Sequence, residues 1–71
     1  MAPGPRTRLT SREQNCLYWV SEGKGTWEIS EIYSISENTV KFHLRNVLQK
    51  LDVGTRAAAV AKAFRLGLLD L

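Results

Sequence analysis

Asn38, Phe42, Arg45 and Gln49 are separated by four, three and four residues, the spacing that lines side chains along one ridge of an α-helix. An amide, an aromatic ring, a guanidinium and a second amide in a row are the groups that read base edges. Arg pairs with guanine, Asn or Gln with adenine, and an apolar ring meets the thymine methyl. Lys41 flanks the ridge on one side and Thr39, Asn46 and Lys50 on the other. From Lys41 through Arg45 to Lys50 no acid intervenes, so this helix is locally basic in a chain whose ten Lys and Arg exceed seven Asp and Glu by three. A charge run is most often a solvated face. Phe42 carries more weight, because a solvated face has no reason to expose a ring. Its competing role is to pack on the first helix or on a neighbouring subunit.

Other reactive side chains do not assemble. His43 lies between the ridge and the core stripe, and reads first as a half-buried structural histidine and second as a phosphate contact. The chain has one His and one Cys, so neither a metal site nor an internal disulfide can be completed. Cys16 falls on an apolar stripe and reads as a small buried hydrophobe rather than an activated thiol. No carboxylate pair shares an exposed face. The chain reads as a non-enzyme with no cofactor and no metal.

The elements that must position the ridge follow from periodicity and caps. Seventy-one residues allow one domain with one small core. Residues 1–8 hold both prolines and read as a flexible arm, leaving 9–71 as the domain. Thr10 with Glu13 makes a capping box for a first helix over about 11–22, Leu9 is placed to staple onto Cys16, Leu17 and Val20, and Gly23 ends the helix. Thr26 is read as the cap of a second helix over about 27–33, with Ile29, Ile32 and Tyr33 as its apolar side. Ser34-Ile35-Ser36 is a three-residue turn with Ile35 as a buried anchor and Ser36 as the next cap. The third helix, about 37–51, has Val40, Leu44, Val47, Leu48 and Leu51 as a core stripe. Thr55 caps a fourth, about 56–66, closed by Gly67. The expected fold is all-α, four helices joined by tight turns.

A short helix, a three-residue turn and a longer helix with a polar outer ridge form a helix-turn-helix. Such a unit lays its second helix in the major groove of DNA while the first crosses the backbone. Thr26 and Ser36, at helix starts, can cap and also help neighbouring N–H groups hold phosphates. No apolar stretch approaches the roughly 20 residues of a membrane span, and MAPGPRTR has no apolar signal core. With a single cysteine, the expected compartment is the cytoplasm.

The sequence resembles the LuxR-type (GerE-like) DNA-binding domain of bacterial transcription regulators. The likeness runs from Leu9 to Leu69 through Leu-Thr-Ser-Arg-Glu at 9–13, Glu-Gly-Lys at 22–24, Trp-Glu-Ile at 27–29 and Ile-Ser-Glu-Asn-Thr-Val-Lys-Phe-His-Leu at 35–44. Asn46, Lys50-Leu51, Arg56, Ala59-Val60-Ala61 and Gly67-Leu68 complete it. Trp-Glu-Ile with Lys-Phe-His is similar to the acyl-homoserine-lactone quorum-sensing branch. The resemblance implies a domain that binds double-stranded DNA, usually as a dimer on an inverted repeat. It implies base contacts at Lys41, Phe42 and Arg45, alongside the ridge residues Asn38 and Gln49, and backbone contacts at Thr26, Trp27, Ser36, Thr39, Asn46, Lys50 and Arg56. Ser30 and Tyr33 depart from the pattern, standing where Ala and Leu are usual.

In the fourth helix Ala57, Ala58, Ala59, Ala61 and Ala63 surround Val60 and Phe64. High helix propensity explains the alanines, and so does close approach of a second helix. The resemblance favours the latter, a weak homodimer through Ala57, Val60, Ala61 and Phe64. RNA polymerase is a candidate second partner; neither a membrane nor a small-molecule ligand is expected for this chain. Two other functions remain open: a protein-interaction module using the Phe42 face, and a sigma-like promoter-reading domain.

Overall fold

The computed structural model describes residues 8–69, so residues 1–7 of the expected arm lie outside the described residues. Four helices follow one another: α1 (Ser11–Ser21), α2 (Thr26–Tyr33), α3 (Glu37–Leu51) and α4 (Arg56–Arg65), with no strand among the described residues. The all-α expectation holds.

Helix starts are set by local chemistry. At α1 the Thr10 hydroxyl accepts from the Glu13 N–H at 3.1 Å and the Glu13 carboxylate accepts from the Thr10 N–H at 3.0 Å, a complete capping box. Ser36 caps α3 and Thr55 caps α4, each accepting from the N–H three residues on. The start of α2 differs from expectation. Gly25, not Thr26, is its N-cap, with the Gly25 N–H donating to Glu28 Oε1 at 2.8 Å. Glu28 supplies the bond from inside the first turn, so no capping hydroxyl is needed and Thr26 becomes the first helical residue. Two helices also stop one residue short of expectation, α1 at Ser21 and α4 at Arg65, with Glu22 and Leu66 as C-caps. Gly23 then turns at φ +88°, the left-handed conformation glycine adopts without strain.

The core divides in two along α3. Val40 and Leu44, in its first half, pack with Cys16 of α1 and Ile29 of α2. Val47 and Leu51, in its second half, pack with Leu9, Leu17, Ala59, Ala63 and Leu69. Of the three expected staple partners, Leu9 shares a cluster with Leu17, whereas Cys16 and Val20 belong to the other cluster. Neighbours in sequence, Cys16 and Leu17, serve different halves because α1 crosses both. Ile32 does not join the apolar side expected of it and is exposed. A helix of eight residues has one narrow inner face, and Ile29 and Ser30 fill it.

Candidate nucleic-acid interface

Of the expected stripe, Val40, Leu44, Val47 and Leu51 are buried while Leu48 is half-buried at its edge, and this pins the opposite side of α3 outward. Asn38, Lys41, Phe42, Arg45 and Gln49 are all exposed. Phe42 is 54% exposed, so it does not pack on α1. Its ring meets His43 edge-on, with centroids 5.7 Å apart. His43 is half-buried, between ridge and core as its position on the helix requires. Thr39 and Asn46, on the flank, are half-buried too.

The turn before α3 is held tightly. Ser34 adopts the left-handed conformation at φ 55°, and the Ile35 N–H donates back to the Ser30 carbonyl at 3.1 Å. Ile35 is half-buried against the Val40–Leu44 cluster. The Ser36 hydroxyl accepts from the Thr39 N–H at 3.0 Å and lies 2.9 Å from the Thr39 hydroxyl. The start of α3 thus holds two hydroxyls side by side, groups that can donate to phosphate oxygens.

A second polar group forms where the starts of α2 and α4 meet. The Arg56 guanidinium donates to the Thr26 hydroxyl at 3.1 Å across thirty residues of chain. Trp27 stands beside it, 61% exposed. Sequence spacing assigned Thr26 and Arg56 to separate helices; packing brings them into contact.

Three further groups of polar contacts were not foreseen. Lys50 Nζ donates to Glu13 Oε1 at 2.7 Å and to the Arg8 carbonyl at 3.2 Å. The Glu13 side chain is only 4% exposed. Burial alone would raise its pKa, but the Lys50 bond, the Thr10 N–H and the nearby charges of Lys50 and His43 hold it below the ordinary glutamate range. Lys62 donates to the Leu51 carbonyl at 2.7 Å, satisfying the end of α3 from α4. Finally, Trp19 Nε1 donates to the Tyr33 hydroxyl at 2.8 Å while the Arg12 guanidinium stands 4.5 Å over the Tyr33 ring. The unusual Tyr33 thereby ties α2 to α1. Only the capping box hinted at Glu13; no spacing rule links residues thirty-seven apart.

On α4, Ala57 and Ala61 are exposed, Val60 is half-buried and Phe64 is 56% exposed. Ala59 and Ala63 face the core. Among the described residues no group of three or more His, Cys, Asp or Glu could hold a metal ion, and no helix is long and apolar enough to cross a membrane.

Comparison with known proteins agrees with this fold. The family described as bacterial regulatory proteins, luxR family, matches residues 7–63. The quorum sensing-dependent transcriptional regulator RpaR of Rhodopseudomonas palustris is 55% identical over 69 residues, covering 97% of this chain and 28% of that protein. The transcriptional activator LuxR of Aliivibrio fischeri is 48% identical over 62 residues, covering 87% of this chain and 25% of that protein. The chain thus spans about a quarter of the length of these regulators. Among solved structures, the transcription factor GerE superposes with a TM-score of 0.83 at 39% identity, over 87% of this chain and 92% of that one. Escherichia coli SdiA gives 0.85 at 37% identity, over all of this chain and 29% of that one.

Proposed function

Since the chain belongs to the luxR family of bacterial regulatory proteins, it is a DNA-binding domain of transcription regulation, and we propose that it reads a specific site by laying α3 in the major groove. The observation that carries this reading is the exposed ridge. Asn38, Phe42, Arg45 and Gln49 stand clear of the protein opposite a buried stripe, and an aromatic ring 54% exposed has no role in a merely solvated face. Arg45 offers a fork to guanine, Asn38 and Gln49 offer amides to adenine, and Phe42 offers its ring to a thymine methyl. Lys41 lies beside them.

Phosphates bracket this readout. Ser36, Thr39 and Asn46 fringe the start and flank of α3, while Thr26, Trp27 and Arg56 form the second contact group. The face of α4 bearing Ala57, Ala61, Phe64 and half-buried Val60 suits a second copy, giving a weak dimer on an inverted repeat. Similarity to RpaR and LuxR favours a quorum-sensing regulator acting in the cytoplasm, with RNA polymerase as a further partner.

A binding selection on randomised duplex DNA tests the reading. A two-fold-symmetric site is expected, relaxed at one position per half by Arg45→Ala. Equal losses on selected and random DNA for that variant would refute base readout by Arg45, and an asymmetric footprint would favour a sigma-like domain. If Phe42 instead anchors a protein partner, affinity will change little with salt, whereas DNA affinity falls by orders of magnitude.

A further inference from the structure

The resemblance groups Lys50 with the phosphate contacts, but its surroundings assign it another task. Its ammonium has three donors. One goes to Glu13 Oε1 at 2.7 Å and a second to the Arg8 carbonyl at 3.2 Å. The carboxylate it meets is 4% exposed and shares the same oxygen with the Thr10 N–H at 3.0 Å. If Lys50 turned to a phosphate, Glu13 would keep its charge in a nearly dry site with one backbone amide for company. Removing one partner of a buried pair is the costly direction, because the other charge is left uncompensated. Lys50 is itself 36% exposed, but a phosphate could be met without that penalty only by the third donor with both inward bonds kept, so Lys50 is held first by Glu13 and the Arg8 carbonyl.

We propose that Lys50 is a positioning residue: acting through Glu13, it fastens the chain leading into α1 to the last turn of the DNA-reading helix, and it does not neutralise a phosphate. Two bonds make the fastening. Glu13 belongs to the capping box that starts α1, and the Arg8 carbonyl lies two residues ahead of that cap. One ammonium therefore fixes both the start of α1 and the backbone that precedes it against α3. With the chain from residue 8 to residue 10, the hydrogen bonds among residues 8, 10, 13 and 50 close a circuit between segments that also share the cluster of Leu9, Leu17, Val47 and Leu51. Any displacement of the leading segment is transmitted to the end of α3 that carries Gln49.

This inference rests on the DNA-binding reading for its meaning, yet half of its test needs no DNA. Amide exchange and the salt dependence of DNA affinity are measured on the wild type, Lys50→Met, Lys50→Arg and Glu13→Gln. In Lys50→Met, exchange at the Thr10 and Glu13 amides is expected to quicken roughly tenfold, while core amides of Leu44 and Val47 keep their protection. Lys50→Arg is expected to restore the slow exchange. The slope of log affinity against log salt is expected to stay at the wild-type value, since that slope counts neutralised phosphates.

A slope lowered by about one in Lys50→Met would overturn the proposal, whatever the amides do. So would unchanged exchange at Thr10 and Glu13, or a rise equal across the whole core, which marks a merely structural loss. If Lys50→Met does not fold, Glu13→Gln keeps an acceptor for the Thr10 N–H and removes only the charge, and the same amides decide. If the wild type fails to bind DNA at all, the functional reading falls, while the exchange data still decide whether Lys50 fastens the leading segment.

Discussion

At the residue scale, each polar side chain is defined by what it already touches. Arg45 is exposed on the ridge, so Arg45→Ala is expected to cost roughly 1–3 kcal/mol at one base position and to leave thermal stability unchanged; binding to single-base variants of the selected site, with parallel melting curves, checks both. Glu13 is the opposite case. Its folded pKa is held down, so it contributes stability fully present above the unfolded glutamate value of about 4.3 and lost as pH falls through the folded value. Urea denaturation should therefore show Glu13→Gln less stable than wild type at pH 7, with the gap closing below about pH 4; a gap independent of pH would refute the assignment. Cys16 is fully buried. Burial, together with the charge of Glu13 and against that of Arg12, pushes its thiol up, which leaves less thiolate at neutral pH. Alkylation of Cys16 is expected to proceed only as fast as global unfolding.

The helices owe their ends to a few residues whose backbone does unusual things. Ser34 and Asp52 both adopt the left-handed conformation, at φ 55° and 56°, where a residue with a Cβ is strained by roughly 1–2 kcal/mol. Glycine relieves that strain but carries its own entropic penalty of about 0.5–1 kcal/mol. Ser34→Gly is thus expected to be neutral or to stabilise by up to about 1 kcal/mol, measured as a small rise in the denaturation midpoint, with the DNA site read unchanged. Gly23 runs the same argument in reverse. Nothing lies within 4 Å of where its Cβ would stand, so Gly23→Ala meets no clash and its cost, about 1 kcal/mol, is backbone strain alone. Tyr33 shows how one side chain can tie two elements: its hydroxyl takes the Trp19 indole N–H and its ring takes Arg12, so α2 is anchored to α1 by polar contacts as well as by apolar packing.

Across the whole molecule, α1 and α3 run through both halves of the core, so the half that holds Ile29 of α2 and the half that holds Ala59 and Ala63 of α4 share two helices. The side chains that stay out of that core are correspondingly informative. Phe64 is 56% exposed on α4 while Ala59 and Ala63 of the same helix are buried, so a charge placed there touches the surface only. Phe64→Glu is expected to weaken self-association and affinity for a two-fold site without lowering the melting temperature; sedimentation velocity with a parallel melt checks it. A drop in stability would mean instead that Phe64 is part of the fold.

What was legible in the sequence was whatever depends on residues a turn or two apart. The four helices, the Thr10–Glu13 box, the Ser36 and Thr55 caps, the buried stripe of α3 and the exposed ridge opposite it all follow from helical periodicity and local hydrogen bonding, which act over at most a few residues. The cap of α2 was misassigned within that same range, because a glutamate reaching back to Gly25 does the work of a capping hydroxyl. Ile32 was misplaced for a different reason: periodicity marks an apolar side but not how wide a neighbour will cover it. The pairing of Lys50 with Glu13, of Arg56 with Thr26, of Tyr33 with Trp19 and of Lys62 with the end of α3 belongs to the tertiary structure alone. Each depends on how two helices cross. The crossing is set by how side chains of different helices interlock over the whole core, which no window of neighbouring residues contains.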